Sequence, residues 1–377
     1  MLPRQLDLYQ SNMAEIYNSL EGEIIKIIIK RLNSGQSILD WQARSFENLN
    51  LFNREVMELI GRVTNIAEPK LLELFEETGR FTVEQVDRNV PNPDPYVSNA
   101  IDDVMRGYYN QASVQINDYV NQTLVSGNLG YGTATKAYVD VLNRSTALFN
   151  TGILTEKQAL EKAIQELAQK GLDSGFVDKG GRTWSVDRYV RTVLRTTMAN
   201  TMDEVRKERM DEYGMNLVVV TSHVGAREAC TRIQSNVVDL RPMAELPADS
   251  KYRSIYDPYW KADYLEPHGH HGINCMHLHI PFTEGFSENN QPKIDDELNE
   301  RVRENRTKQR RLERDVVKYK KNKMVSEYMG NDEEAKKWQK KVSWKQKQIR
   351  EHLKHNGEYL SRSYEREKVY TPIEQLV

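Results

Sequence analysis

Apolar residues recur with helical spacing through most of the first 214 residues. Near the N-terminus, Ile16, Leu20 and Ile24 begin a series that continues at steps of three to five residues, so these side chains share one face of a helix. The segment 91–95, which reads PNPDP, interrupts the pattern because proline cannot continue a helix. The pattern therefore predicts an N-terminal region built from several separate helices.

Two helices in this region have recognisable ends. The clearest one is predicted over residues 185–213, with Ser185 capping its first turn and Gly214 ending it as a left-handed residue. Another is predicted to begin at the capping residue Thr155 and to end near Gly171. These residues show where the two helices begin and end, which the hydrophobic pattern alone does not show.

The pattern changes at Met215, where the helical spacing stops. Residues 217–220 form a β-branched run that predicts a short buried strand. A loop region rich in Pro, Tyr, Asp and Gly follows over residues 240–272. Residues 276–280 then alternate, which predicts a strand whose Met, Leu and Ile side chains face a core, while Cys275 and the histidines face the other way. The sequence therefore predicts a small α/β domain here.

The last part of the chain is highly charged and again helical in its pattern. Trp338, Val342, Ile349 and Leu353 are separated by four, seven and four residues, a spacing that resembles a heptad seam. A Gly-Asn-Asp sequence at residues 330–332 separates two arms. An antiparallel helical hairpin is therefore predicted.

Together these patterns predict a mainly α protein with a small α/β (α+β) domain. The predicted regions are a helical N-terminal region over residues 1–214, the small domain over residues 215–288 and a basic helical tail over residues 289–377. Residues 301–350 carry 18 Lys and Arg against 7 Asp and Glu, whereas the whole chain has a net charge of −2. This segregation of charge indicates that the tail and the rest of the chain have different tasks.

The cysteine content and hydropathy limit the classes of protein to consider. Two cysteines in 377 residues cannot form a disulfide scaffold, so synthesis in a reducing compartment, the cytoplasm, is expected. The N-terminus has no apolar core of a signal peptide. No apolar run is long enough for a membrane span, so none is predicted.

Metal-ligand residues are concentrated in the predicted small domain, which holds six of the eight histidines and both cysteines. Imidazole and thiolate groups at this density suit Zn²⁺, which prefers four nitrogen or sulfur ligands in a tetrahedron. A structural zinc site formed by His223, Cys230, Cys275 and His277 is therefore predicted. Two alternatives stay open: turn histidines with a buried free cysteine, and a disulfide between the two cysteines.

Catalysis is not predicted for these residues. His270, His271, Asn274 and His279 superficially resemble the histidine and asparagine set of HNH nucleases, but all lie within ten residues. Such nucleases need a strand, a loop and a helix between the histidines, so the spacing is wrong. Neither a phosphate-binding loop nor a GxSxG or HExxH motif is present.

The basic tail has two interpretations. Its Lys and Arg side chains, together with Trp338 and Trp344, could contact DNA phosphates. Interspersed acidic residues, such as Glu313 and Asp315, favour instead the solvated face of a helix. Binding to an acidic protein would use the same charges.

Ordered motifs in the second half resemble one protein family. Residues 221–227, which read TSHVGAR, together with Cys230 and Gln234, resemble the central motif of the phage minor capsid protein 2 family, which is related to the Mu F-like head morphogenesis proteins. Residues 271–277, followed by residues 280–285, resemble that family's second motif. Two further similarities flank these motifs. Residues 178–187, together with Tyr189 and residues 195–197, resemble the family's helix before the first motif, and the charged end over residues 309–350 is similar to the family's helical tail.

The resemblance implies a minor capsid protein with a Mu F-like central domain, made in the host cytoplasm and built into the phage head in few copies. It implies contact with the portal or the inner capsid, leaves open ejection with the DNA, and indicates no enzyme activity. The alternative is a DNA-binding or DNA-processing protein acting in packaging or ejection. Residues matching the motifs, which are expected to hold the domain together, are Ser222, Gly225, Arg227, Gln234, His271, Gly272, Asn274, Pro281 and Phe282.

Overall fold

The computed structural model describes residues 3–33, 45–125, 132–178, 180–273, 275–369 and 371–375. Over these residues the chain is mainly helical with two small sheets, so the predicted fold class is confirmed. The helices of the N-terminal half are α1 (Pro3–Leu32), α2 (Ser45–Asp87), α3 (Asn99–Ser113), α4 (Tyr119–Val125), α5 (Thr133–Phe149), α6 (Glu156–Lys170) and α7 (Val186–Glu212).

A small sheet and a helical hairpin complete the fold. One π-helical turn, Val114–Asp118, joins α3 to α4. The remaining elements are β1 (Asp173–Val177), β2 (Thr183–Ser185), β3 (Leu217–Val220), α8 (Glu228–Thr231), β4 (Val237–Asp239), β5 (His279–Pro281), α9 (Asp296–Tyr328) and α10 (Asp332–Asn356). A two-stranded hairpin of β1 and β2 lies between α6 and α7, and the central sheet has the strand order β4-β3-β5.

The largest core lies among the N-terminal helices. The predicted apolar stripe of α1 is buried there, and Leu20 and Ile24 are completely inaccessible to solvent. Phe52 of α2 stacks on Tyr138 of α5, with 4.8 Å between ring centroids. Burial of such apolar surface is the main stabilising contribution to the helical body.

The predicted helix ends are confirmed. The Ser185 hydroxyl accepts a hydrogen bond from the backbone N–H of Arg188, and Gly214 beyond α7 has a φ of +63°. At α6, Thr155 and Gln158 form a reciprocal capping box, in which each side chain accepts from the other's backbone N–H. These contacts satisfy N–H groups that a helix start leaves without intrahelical partners.

The hairpin β1–β2 is a departure from the prediction that this region is helical. Asp178 stabilises its turn, because the carboxylate accepts hydrogen bonds from the backbone N–H groups of Gly180 and Arg182. The same carboxylate accepts a hydrogen bond from the Trp184 indole at 3.1 Å. The segment similar to a family helix therefore begins with turn and strand, and its later residues lie on α7, which starts at Val186.

The central sheet confirms one predicted strand and corrects another. β3 covers residues 217–220 as expected and pairs with both neighbours in antiparallel fashion. The predicted strand over residues 276–280 is present only in its last two residues, because pairing is confined to β5. The predicted facing is wrong: Met276 is 43% exposed, whereas His277 and His279 are 4% and 2% exposed. The histidines can be buried because they hydrogen-bond to other buried polar groups.

The C-terminal hairpin is confirmed. α9 and α10 are antiparallel and joined by a turn in which Gly330 has a φ of +66°. Val316 of α9 packs against Val342 and Ile349 of α10, which lie on the predicted seam. Trp338 of the same seam packs on Tyr319, with 5.7 Å between ring centroids.

This hairpin packs against the helical body. Val325 of α9 and Met329 directly after it belong to the large N-terminal core, and Lys321 forms an ion pair of 2.8 Å with Glu21 of α1. The predicted boundaries after residues 214 and 288 stay a prediction. Among the described helices, none has both the length and the apolar character that crossing a bilayer requires.

Candidate metal centre

Four side chains from three segments, three of them buried and one partly buried, converge beside the central sheet. Cys230 lies on α8, His270 lies in the long loop, and Cys275 and His277 lie just before β5. One potential ligand atom from each of the four lies within 4.8 Å of the others. This grouping has the size and composition of a site for one metal ion.

The distances within this Cys/His cluster are short. The two cysteine Sγ atoms are 3.9 Å apart, and Cys275 Sγ is 3.4 Å from His277 Nδ1. Both cysteines are free rather than disulfide-bonded. Cys230 and His270 are completely buried.

The structure places three of the four predicted zinc ligands in this cluster. Cys230, Cys275 and His277 come together, but His223 is not in the group. Its ring stacks on His277 with 4.4 Å between centroids. His270 takes the fourth place. The sequence analysis did not select it as a ligand, although His270 is one of the six histidines of the predicted small domain.

Gln234 supports the cluster from the side of α8. Its Oε1 accepts a hydrogen bond from the backbone N–H of His223 at 3.3 Å and lies 3.2 Å from His277 Nε2. Because the backbone N–H needs an acceptor, this atom is the amide oxygen. His277 must therefore donate from Nε2, which leaves Nδ1 with a lone pair directed towards Cys275.

A second histidine group adjoins the first through His270. His270 Nε2 and His279 Nε2 are 2.9 Å apart, and the ring of His271 stacks on His279 at 3.9 Å. His271 Nδ1 also lies 2.5 Å from Asp203 Oδ2 on α7. Sequence analysis did not find Asp203, because nothing in its local pattern distinguishes it from other acidic residues on helix surfaces.

Burial keeps most of these imidazoles neutral. It lowers the pKa of His223 to about 4 and the pKa of His270 to about 4, and it places the pKa of His279 well below the usual value. The neighbouring Cys230 thiol has the largest effect on the pKa of Cys275 and lowers it. Neutral imidazole is the form in which histidine binds a metal ion.

His271 behaves differently because it faces a carboxylate. Burial alone would lower the pKa of His271, but Asp203 outweighs this effect and raises it. For Asp203, His271 and Arg206 outweigh burial and lower its pKa. The two side chains therefore form an ion pair that joins the loop to α7.

Arg227 holds the histidine-bearing loop in place. Its guanidinium donates to the carbonyl oxygens of His268 and Ile273, at 3.1 and 2.6 Å. Gly272 is required nearby, since an added Cβ would come within 2.0 Å of the Glu266 carbonyl oxygen. Both residues thus shape the loop that carries His270 and His271.

The first motif is held by the tail helix α9. Gly225 has a φ of +80°, and its N–H and that of Ala226 donate to the Asn299 side-chain oxygen at 2.7 and 2.8 Å. Arg306 donates to the Val224 carbonyl oxygen at 2.7 Å. The motif loop is therefore fixed by side chains from a region more than seventy residues later in the chain.

The other motif residues lie around the same sheet. The backbone N–H of Ser222 donates to Gln291, Pro281 ends β5, and the backbone N–H of Phe282 donates to Leu217. Phe282 is also largely buried, against Tyr252. Asn274, the remaining residue of the predicted set, lies outside the described residues.

Comparisons with known proteins agree with the motifs. The family described as phage minor capsid protein 2 matches residues 1–354. A protein named "Structural protein" of Lactococcus phage LL-H is 29% identical over 371 residues, which cover 97% of this chain and 98% of that protein. A protein of the same name from Lactococcus phage mv4 is 37% identical over 119 residues, which cover 32% of this chain and 93% of that protein. No solved structure matches the chain. The chain therefore belongs to the phage minor capsid protein 2 family and is a structural protein of the phage virion.

Proposed function

We propose that this protein acts in head morphogenesis as a low-copy component that binds other head proteins and has no enzymatic activity. The observation that carries this proposal is the burial of the Cys/His cluster. Within this cluster Cys230, His270 and His277 are less than 5% exposed and Cys275 is partly buried, so a substrate has little access to them. A buried cluster of this kind supports a structural task, since binding and catalytic sites lie in open clefts.

The surface that we propose for partner binding is the α9–α10 hairpin. Its helix α9 is fixed to the rest of the protein, and α10 exposes a run of lysines to solvent. Positively charged helices favour acidic partner surfaces and accelerate encounter with them. The portal and the inner capsid are the proposed partners. The exposed lysines are Lys336, Lys337, Lys340, Lys341 and Lys347.

Quantitative mass spectrometry of purified virions and procapsids tests the proposed role. We expect this protein in both, at a small fraction of the major capsid protein, with cross-links from α10 to the portal or the inner capsid. A matched pair of variants, Lys336→Glu on α10 against Lys207→Glu at an exposed position of α7, separates the hairpin from general charge effects. Absence from both particles would exclude the role, and equal incorporation of both variants would exclude the surface.

The lysines of α10 also favour a second candidate function, DNA binding during packaging or ejection. Neutralised phosphates release counterions, so such binding should weaken steeply as the salt concentration rises. Filter binding of duplex DNA at several salt concentrations tests this candidate. A steep salt dependence that Lys336→Glu reduces would support it, as would loss of the protein from particles that have ejected their DNA.

We further propose that the Cys/His cluster stabilises the loop-rich central region, with Zn²⁺ as the ion that the cluster suits. Residues 240–272 contain little regular structure. A cluster that cross-links segments of this region would therefore provide stability that hydrophobic packing provides in other proteins. Cys275→Ser should lower the thermal midpoint by more than an average surface substitution does. Such a surface substitution changes the free energy of unfolding by no more than about 0.5 kcal/mol. An unchanged midpoint would contradict the structural role.

A further inference from the structure

We propose that one Zn²⁺ ion is bound tetrahedrally by Cys230 Sγ, Cys275 Sγ, His277 Nδ1 and His270 Nδ1. This inference rests on the structural role of the cluster, but it does not depend on the role of the protein in the head. Its basis is the convergence of four donor atoms within 4.8 Å. His270 therefore replaces His223 as the fourth ligand.

The donor set has the chemistry that zinc prefers. Two sulfur and two nitrogen ligands in a tetrahedron are typical of Zn²⁺, whereas Ca²⁺ and Mg²⁺ require oxygen ligands. Two thiolates balance the double positive charge of the ion, and the two imidazoles add none. A site with no net charge avoids the large cost of burying an unpaired ion, which matters because Cys230 and His270 are inaccessible to solvent.

The hydrogen bonds around the cluster direct the correct nitrogen of His277 towards the ion. Gln234 Oε1 accepts from His277 Nε2, so Nδ1 is unprotonated and faces Cys275. A metal-binding histidine typically donates its other ring N–H to an oxygen acceptor in this way. Gln234 is therefore a positioning residue for the ligand.

His270 is oriented by a second histidine. Its Nε2 lies 2.9 Å from His279 Nε2, so one ring donates to the other. When His270 is the donor, its Nδ1 keeps a lone pair. Within the described part of the chain, this Nδ1 is a buried atom without a hydrogen-bond partner. A buried polar atom without a partner is costly, and coordination of the ion satisfies it.

The ligands come from three segments that are distant in sequence, α8, the long loop and the residues before β5. Binding of the ion therefore fixes these segments relative to one another. Removal of the ion should loosen the central region, while the separate apolar core of the N-terminal helices keeps its packing. Metal binding and folding of this region are thus expected to be coupled.

Metal analysis of the purified full-length protein is the direct test. We expect one zinc per chain after purification or after reconstitution under reducing conditions. Replacement by Co²⁺ should give the visible bands of a tetrahedral ion and near-ultraviolet thiolate-to-metal absorption from two sulfurs. This spectrum is measured on the unaltered protein, so the test does not depend on the folding of any variant.

Two matched substitutions identify the nitrogen ligands. His270→Gln should abolish stoichiometric zinc binding, whereas His223→Gln, which changes a neighbouring buried histidine, should retain it. Gln234→Ala should weaken zinc affinity by about 10–100-fold, as loss of an outer hydrogen-bond partner does in other metal sites. Circular dichroism confirms that each variant keeps its helices.

The possible outcomes separate this inference from the proposed structural role. If the protein binds no zinc, or if His223→Gln loses as much zinc as His270→Gln, the assignment of the site is wrong. If Cys275→Ser still destabilises a protein that binds no zinc, the structural role survives without the ion. An intact protein mass lower by that of two hydrogen atoms, measured under non-reducing conditions, would show a Cys230–Cys275 disulfide instead. This result would also overturn the inference.

Discussion

The carboxylate of Asp203 lies 2.5 Å from His271 Nδ1 and thereby joins the histidine-bearing loop to the long helix α7. The other oxygen of the same carboxylate lies 2.5 Å from the Arg206 guanidinium. The Arg206 side chain is only 2% exposed, and two of its nitrogens have no hydrogen-bond partner among the described residues. Asp203 is therefore the counter-charge for two buried cations at once.

Removal of this counter-charge should destabilise the protein strongly. Asp203→Asn leaves Arg206 buried with no neutralising partner, and breaking a buried pair in this way costs about 3–5 kcal/mol. We expect a decrease in the free energy of unfolding of that order in urea titrations. Asp211→Asn, at an exposed position on the same helix, should change it by no more than about 0.5 kcal/mol. Similar effects of both substitutions would show that Asp203 does not stabilise Arg206.

The tail hairpin is fixed to the body through a buried carboxylate of α6. Glu161 accepts hydrogen bonds from the Ser326 hydroxyl at 2.6 Å and from the Asn331 amide at 2.7 Å. Glu161→Ala removes both acceptors, and a buried group left without its partner costs about 1–3 kcal/mol. We expect faster proteolytic cleavage near the hairpin turn.

The control for this prediction lies one turn further along the same helix. Glu166 forms an exposed ion pair with Arg144, and such pairs contribute about 0–1 kcal/mol. Glu166→Ala should therefore leave the cleavage rate near that of the unaltered protein. Equal rates for both variants would mean that Glu161 does not hold the tail.

A buried carboxylate near the C-terminus should make stability dependent on pH. Burial would raise the pKa of Glu367, but its hydrogen bonds to Arg362 and Gln346 outweigh this effect and lower it. Because the folded pKa of Glu367 lies below the ordinary value of 4.5, the stabilisation that its ionised carboxylate provides is complete above that pH. This stabilisation is lost as the pH falls through the folded pKa.

Urea titrations between neutral and acidic pH measure this contribution. Glu367→Gln should be less stable than the unaltered protein at neutral pH, and the difference should shrink under acidic conditions. Glu365→Gln serves as the control, since the Glu365 side chain is 40% exposed and forms an ion pair with Lys368, whose side chain is 49% exposed. A difference that stays constant with pH would contradict the prediction.

The sequence predicts the helices well because their signals are local. The Thr155 cap, the Ser185 cap and the turn at Gly330 each depend on residues within a few positions of one another, and all three are confirmed. The predicted facing of residues 276–280 is wrong because their histidines are buried against polar partners outside the segment. His277, for example, lies 3.2 Å from the side-chain oxygen of Gln234, 43 residues earlier, and alternation of apolar residues does not report such pairing.

The candidate site shows the same limit. Residue type and density were enough to select Cys230, Cys275 and His277, which the structure brings together. They were not enough to choose between His223 and His270, because that choice depends on how the long loop folds back over α8. Arg227, which donates to two loop carbonyls, and Asp203, which pairs with His271, determine this path through contacts across more than forty residues.

Two glycine substitutions should have effects of opposite sign. Gly225 has a φ of +80°, and an added Cβ would come within 3.1 Å of the Arg306 guanidinium, so Gly225→Ala should lower the free energy of unfolding by more than about 1 kcal/mol. Gly61 lies inside α2 with open space around it, so Gly61→Ala should raise that free energy by about 0.5–1 kcal/mol. Thermal unfolding of both variants measures the two shifts. Because the positive φ and the contact with α9 are specific to Gly225, a stabilising Gly225→Ala would show that the motif loop is not held by the tail helix.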